Sequence, residues 1–206
     1  LKGEDELTYV GLTSGTKKNE VFIATRAGFA IRFSEEDVRS MGRTAAGVKG
    51  INLRKDDFVV SAAIVNPETD LDKLSVLTIT DEGYGKRTSL KEYKVQTRGG
   101  KGIINLKVND KTGKIVDVKI VDNETEIMLI TSEGTLIRTK VDSISVIGRS
   151  TSGLRIMKVR NEEKITIIEN KMYFEYNNGK FNSFNFRIFR PENENERVII
   201  VSQLTL

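Results

Sequence analysis

The segment best equipped for chemistry is Gln96-Thr97-Arg98-Gly99-Gly100-Lys101-Gly102. Three glycines let a backbone approach a surface closely and leave its N–H groups exposed. Arg98 supplies a planar fork for phosphate oxygens, and Lys101 supplies a point charge. Such a loop can lie against a phosphodiester backbone without reading bases. It is also a tight inter-strand connection with two solvated cations. Two further segments follow the same plan, Gly42-Arg43-Thr44-Ala45-Ala46-Gly47 and Gly148-Arg149-Ser150-Thr151-Ser152-Gly153. Each keeps the leading Arg, the final Gly and small residues between them. With Lys49, Lys101 and Arg155 nearby, Arg43, Arg98 and Arg149 form a row of cations suited to a long polyanion rather than a small ligand. The competing role is an Arg that braces neighbouring units by pairing with Asp or Glu. The same two roles are open to Arg32, Arg87 and Arg138, which lie inside strand-like runs. Lys86 beside Arg87 argues for the surface there.

Other chemistry has little to work with. The 206 residues contain no Cys and no His. That removes disulfides, thiolate metal sites, the commonest general base and the commonest imidazole ligand. The acid pairs Glu35-Glu36, Asp56-Asp57 and Glu162-Glu163 fall in polar turns and read as solvated charges. Gly83-Tyr84-Gly85-Lys86 is not a nucleotide phosphate loop, because no helical pattern follows it. Tyr93 sits at the repeat position of Val38 and Ile144, which assigns it to packing. No catalytic residue, metal site or cofactor is assigned to this chain. The net charge of +4 and pI near 9.2 give a mildly basic surface. No apolar run reaches the roughly 18 residues of a membrane span, and a cytoplasmic, non-membrane setting is expected.

The elements that position these loops recur three times. Aligning Gly28, Gly83 and Gly134 superposes three segments without a gap over the loops above. Before each Gly runs an apolar, β-branched stretch: residues 21–25, 76–80 and 127–131. The Gly closes a tight hairpin, and a second strand carries Arg32, Arg87 or Arg138. A polar stretch such as Ser34–Ser40 suits a helical turn. The Gly-rich loop comes next, then a third strand at 48–53, 103–108 and 154–159, and a fourth at 58–65, 115–121 and 164–168. Four strands in roughly 50 residues describe a propeller-like blade, which needs neighbours to complete its core. The predicted fold is all-β, a partial propeller-like array of four-stranded blades over residues 1–169. Residues 5–12 resemble the fourth strand of an earlier repeat, so the chain reads as a fragment. Residues 170–206 depart from the plan, with a strand-like stretch only at 198–201.

Three segments in this order, Met41 to Ile51, Gly83-Tyr84-Gly85-Lys86-Arg87-Thr88 and Ile147 to Gly153, closely resemble the late blades of the DNA gyrase A C-terminal domain. The resemblance covers residues 4–168. It implies a β-pinwheel, whose blades exchange a strand and whose basic rim wraps double-stranded DNA without sequence preference. The family serves an ATP-dependent type II topoisomerase that negatively supercoils DNA. It works as a heterotetramer of gyrase A with gyrase B, with ATP and Mg bound elsewhere in the complex. From the row of cations, the candidate DNA contacts are Arg43, Lys49, Lys86, Arg87, Arg98, Lys101, Arg149 and Arg155. Gln96, Arg98, Gly99, Gly100, Lys101 and Gly102 resemble the family's signature box, but Thr97 stands where a basic residue is usual. The box also lies in a later blade than the family's own. Two alternatives stand beside this one: the corresponding C-terminal domain of topoisomerase IV, and a propeller-like protein-interaction module.

Overall fold

Apolar β-branched runs joined by glycine turns fold as antiparallel hairpins, because the turn geometry fixes their register. The computed structural model describes residues 6–16, 18–42, 44–66, 68–160, 162–169, 176–177, 180–181 and 197–203. A strand β1 (Glu6–Thr13) precedes the first repeat. The first repeat holds β2 (Glu20–Thr25), β3 (Phe29–Ser34) and β4 (Val59–Val65). The second holds β5 (Ser75–Thr80), β6 (Tyr84–Ser89), β7 (Ile103–Ile104) and β8 (Ile115–Val121). The third holds β9 (Glu126–Thr131), β10 (Leu136–Lys140), β11 (Leu154–Arg155) and β12 (Ile165–Glu169).

The sheets run β4-β2-β3-β7, β8-β5-β6-β11 and β12-β9-β10. The outer strand of each four-stranded blade therefore comes from the following repeat. β7 pairs with β3 through Phe29↔Ile104 and Ala30↔Ile103, and β11 pairs with β6 through Leu154↔Gly85 and Arg155↔Tyr84. This is the strand exchange of a pinwheel. It corrects the expected third strands. Residues 103–108 and 154–159 each pair over two residues only, and 48–53 form no strand. An exchanged strand needs the second strand of the preceding repeat. No such strand precedes residues 48–53 among the described residues. The pairing of β7 also stops early, because the Asn105 and Leu106 N–H groups both turn to the Gly28 carbonyl (2.8 and 3.2 Å).

Gly28 shows why the hairpin turn demands glycine. Its φ is +96°, and an added Cβ would lie 2.2 Å from the Leu106 carbonyl oxygen. Gly83 repeats this, with φ +78° and Met157 O at 2.1 Å. Any side chain would be strained and would also pry two repeats apart. Each second strand then runs into a 3₁₀ turn, at Glu35–Asp37, Leu90–Glu92 and Val141–Ser143. Ser34 caps the first of these by accepting from Glu36 N.

Two of the three core clusters lie between repeats, and the third (Val21, Ile23, Ile31, Phe33, Ile51, Val59 and Ala62) lies within the first. One cluster joins Phe22, Ala24 and Val65 of the first repeat to Val76, Leu90, Tyr93, Leu106, Ile115 and Val118 of the second. A second joins Leu77, Ile79 and Val121 to Ile127, Leu129, Val141, Ile144, Met157 and Ile165 of the third. Phe22 meets Tyr93 edge-on, with centroids 5.2 Å apart. This is the packing role expected for Tyr93. Strand β5 is buried on both faces, whereas β10 alternates between half-buried and exposed. The second repeat has a repeat on each side and the third has one on one side only, whereas the outer face of the first is covered by Tyr9, Val38, Ile51 and Leu53. Beyond residue 169 lie β13 (Tyr176–Asn177), β14 (Lys180–Phe181) and β15 (Arg197–Gln203). β15 contains the stretch 198–201 and pairs antiparallel with β1.

Candidate nucleic-acid interface

Arg98 and Arg149 stand fifteen residues after their turn glycines and are held in the same way. The Arg98 N–H donates to the Asp37 carboxylate (3.3 Å), and the Arg149 N–H donates to the Glu92 carboxylate (3.1 Å). Asp37 and Glu92 close the 3₁₀ turns of the first and second repeats. The guanidinium then reaches back along the preceding repeat. Arg98 Nη1 donates to the Lys49 carbonyl, and Arg149 Nη1 donates to the Ile104 carbonyl (2.8 Å). Lys49 and Ile104 occupy equivalent repeat positions. Arg98 Nε also donates to the Asp37 carbonyl at 3.0 Å. The bracing role is therefore seen in altered form: the guanidinium bonds carbonyls, and the acid takes the main-chain N–H. Each brace links two repeats, yet both residues stay half-exposed. An arginine has five N–H donors, so donors remain on Arg98 beyond those used in the brace.

The rest of the box-like loop follows from its backbone bonds. Gln96 N donates to Arg32 O (2.7 Å) and Gly99 N to Gly50 O (2.8 Å). Lys101 is exposed, and its carbonyl accepts from Arg54 Nη1 at 2.9 Å. Lys49 and Arg155 are exposed as well. Arg155 Nη2 donates to the Tyr84 hydroxyl (2.7 Å), and its guanidinium lies 5.0 Å from that ring's centroid. Arg43 lies outside the described residues.

Two expected surface cations are corrected. Lys86 is 1% exposed, and Arg87 is 6% exposed. Lys86 Nζ donates to the carbonyls of Gly148 (2.7 Å) and Arg149 (2.6 Å) and to the Thr151 hydroxyl (3.2 Å). Burial lowers its pKa to about 8; Glu92 opposes this shift and Arg149 reinforces it. Arg87 donates to Ile144 O (2.7 Å), Asn123 Oδ1 (2.6 Å) and Asp142 O (3.2 Å), and burial lowers its pKa too. Lys86 and Arg87 point to opposite faces of β6, and the following repeat covers both, with residues 148–151 over Lys86 and residues 142–144 over Arg87.

Arg32 matches Arg87. It pairs with Glu20 and donates to Leu90 O (3.2 Å) and Tyr93 O (3.1 Å) of the next repeat. Arg138 keeps the corresponding acid, Glu126, but its side chain is 69% exposed. Two acids read as solvated charges are also corrected. Glu35 is buried and accepts from Thr13 Oγ1 (2.8 Å) and Asn19 Nδ2 (3.1 Å). Glu163 is buried and accepts from Thr131 Oγ1 and from Arg160 N at 3.0 Å. Asp57 takes the Ala27 N–H of the hairpin at 2.8 Å. A turn carboxylate beside backbone N–H groups is a capping group before it is a free charge. Sequence reasoning also missed the Asp37 and Glu92 clamps. The signal was an acid nine residues after the turn glycine in two of the three repeats.

Among the described residues no group of acids is arranged to hold a metal ion, and no helix is long and apolar enough to cross a membrane.

Residues 19–66, 75–122 and 125–169 each match the family described as the DNA gyrase C-terminal domain, beta-propeller. The chain is 48% identical over 159 residues to the DNA gyrase A protein of Lawsonia intracellularis, covering 77% of this chain and 19% of that one. Among solved structures it resembles a DNA gyrase A C-terminal domain (TM-score 0.66, 25% identity, 74% of this chain and 50% of that one). It also resembles the C-terminal domain of a DNA topoisomerase IV (TM-score 0.74, 27% identity, 82% of this chain and 51% of that one).

Proposed function

Since the chain belongs to the DNA gyrase C-terminal domain family, we propose that it binds double-stranded DNA along its blade edges without sequence preference. We infer that residues 1–169 are late blades of the DNA-wrapping domain of a gyrase A protein, with 170–206 a divergent tail. The observation that carries this reading is the repeated presentation of Arg98 and Arg149. The same clamp sets both residues on successive blades, so their remaining donors are offered one repeat apart. A polyanion that follows the curve meets them in turn, and a small ligand meets one. Lys49, Lys101 and Arg155 extend the basic surface, and Arg43 adds a third repeat by its sequence position. The chain spans 19% of the length of the gyrase relative it matches. Negative supercoiling, the remainder of gyrase A, its gyrase B partner, and the ATP and Mg that drive the reaction therefore belong to the proposed parent enzyme. A cytoplasmic setting goes with that parent.

Duplex binding measured at two salt concentrations tests the reading. Contact with about six phosphates lowers affinity roughly a thousandfold between 50 and 200 mM salt. No binding to a roughly 100-base-pair duplex at low salt removes the reading. The likeness to the topoisomerase IV domain favours a second reading, in which the parent is a topoisomerase IV. The kept Arg98 to Gly102 box argues for gyrase. Introduction of negative supercoils into relaxed plasmid by the whole enzyme separates the two.

A further inference from the structure

Lys86 occupies a position that is apolar in the other repeats. Three residues after the turn glycine stand Ile31, Lys86 and Ile137. Each of the first two lies on a second strand that the next repeat's Arg-bearing loop crosses. The loops themselves differ. Arg98-Gly99-Gly100-Lys101-Gly102 aligns with Arg149-Ser150-Thr151-Ser152-Gly153. In the former, Gly99 takes φ +79° and donates its N–H to Gly50 O at 2.8 Å. Gly100 packs close to Ile31, where an added Cβ would lie 3.6 Å from Cδ1. In the latter, Ser150 stays out of the left-handed region, as expected of a residue with a side chain. The two loops share one bond, from Asn52 N to Gly100 O and from Lys107 N to Thr151 O (both 2.9 Å), but the bond that Gly99 makes has no counterpart at Ser150, and there the loop closes by another route.

The buried ammonium supplies that route. An ammonium has three donors and no acceptor, and burying it requires that those donors be met. The carbonyls of Gly148 and Arg149 and the hydroxyl of Thr151 meet them, with Thr151 O a further 3.4 Å neighbour. Thr88, two residues on, adds a bond from its hydroxyl to Ile147 O (2.8 Å), and Thr151 Oγ1 returns a bond to Gly148 O (2.8 Å). With its carbonyls drawn inward, the loop holds Arg149 where its N–H meets Glu92 and its guanidinium meets Ile104.

We propose that Lys86 is a positioning residue for the DNA-facing loop, gathering the carbonyls of 148 and 149 and the Thr151 hydroxyl so that Arg149 is presented as Arg98 is. The functional part of this rests on the DNA-binding reading; the structural part does not. Lys86 thus acts through Arg149 and makes no phosphate contact. The Ile-with-diglycine pair of one repeat junction and the Lys-with-serine/threonine pair of the next are two solutions to one positioning problem.

Amide hydrogen exchange and duplex binding on the 206-residue chain test this. The variants are Lys86→Ile, Lys86→Met as a second neutral replacement, and Lys86→Ile with Ser150→Gly and Thr151→Gly. Both single variants are expected to raise exchange of the Arg149 amide about tenfold, while β5 and β6 amides keep their protection. Duplex affinity falls about fivefold in the single variants, and the triple variant recovers it. Unchanged loop exchange in both single variants overturns the proposal, as does a triple variant that recovers neither protection nor binding. Loss of protection throughout the chain in both single variants overturns it too, since Lys86 would then hold the fold rather than the loop. If the wild-type chain binds no duplex, the DNA reading falls, and loop exchange alone decides the role of Lys86.

Discussion

The main-chain N–H of Arg149 is bound by the carboxylate of Glu92 at 3.1 Å, across the junction between two repeats. The same carboxylate lies 4.0 Å from Arg149 Nε. On this face an acid and a prospective phosphate thus compete for one guanidinium. Glu92→Gln keeps an oxygen for the N–H and removes the competing charge. The pair is partly exposed, so stability should change by less than about 1 kcal/mol. Duplex affinity should rise on the order of threefold at low salt, with the gain fading as salt screens the charge. Titration of a labelled duplex checks it, and an unchanged or lower affinity sinks the competition argument.

Removing the arginines works in the other direction. Arg98→Ala and Arg149→Ala together should lower duplex affinity for every sequence alike. The slope of log affinity against log salt should shrink by about one for each phosphate that is no longer bound. Each variant also gives up carbonyl bonds to the preceding repeat, worth roughly 0.5–1.5 kcal/mol apiece. Urea unfolding must therefore run beside the binding measurement. A large drop in stability with an unchanged salt slope would show that these residues only brace the blades.

Much of this fold was legible in the sequence. The apolar runs at 21–25, 76–80 and 127–131, each ending at a glycine turn, became β2, β5 and β9. Periodicity and turn chemistry are local, and they survive folding. Partnership is not local. Residues 48–53 read as well for a strand as 103–108 do, but a strand exists only beside another strand. The site shows the same division. The like placement of Arg98 and Arg149 followed from spacing, whereas Lys86 was placed outward because a charged neighbour suggested a surface. Its alignment with Ile31 and Ile137 pointed inward. At this apolar repeat position the ammonium is buried and its donors are met by two carbonyls and a hydroxyl.

Arg32 and Arg138 differ in environment while keeping the same acid partner. Arg32 is buried beside a half-buried Glu20 and bonds two carbonyls of the next repeat, whereas the Arg138 side chain is 69% exposed beside Glu126. Arg32→Met leaves a half-buried carboxylate and two carbonyls uncompensated, a loss of about 2–3 kcal/mol, below the range for a fully buried pair. Arg138→Met should cost less than about 1 kcal/mol. Urea unfolding of the two variants checks this, and equal losses would contradict the difference in burial.

The pH dependence of stability reports on Lys86 directly. Burial lowers its pKa to about 8 in the folded chain, with Glu92 raising it and Arg149 lowering it further. An unfolded lysine titrates near 10.4. Between these values the unfolded chain holds a proton that the folded chain has released, so this group's contribution to stability rises with pH. It is fully present above the unfolded value and lost as pH falls through about 8. Tyr9 and Tyr93, whose burial raises their pKa, act oppositely at high pH and are common to wild type and variant. The stability of wild type minus that of Lys86→Met should therefore grow from pH 8 to pH 10 and stay level from pH 6 to pH 7. Chemical unfolding at matched ionic strength measures it. A difference that stays flat across the whole range would mean that Lys86 keeps an ordinary lysine pKa among its carbonyl partners.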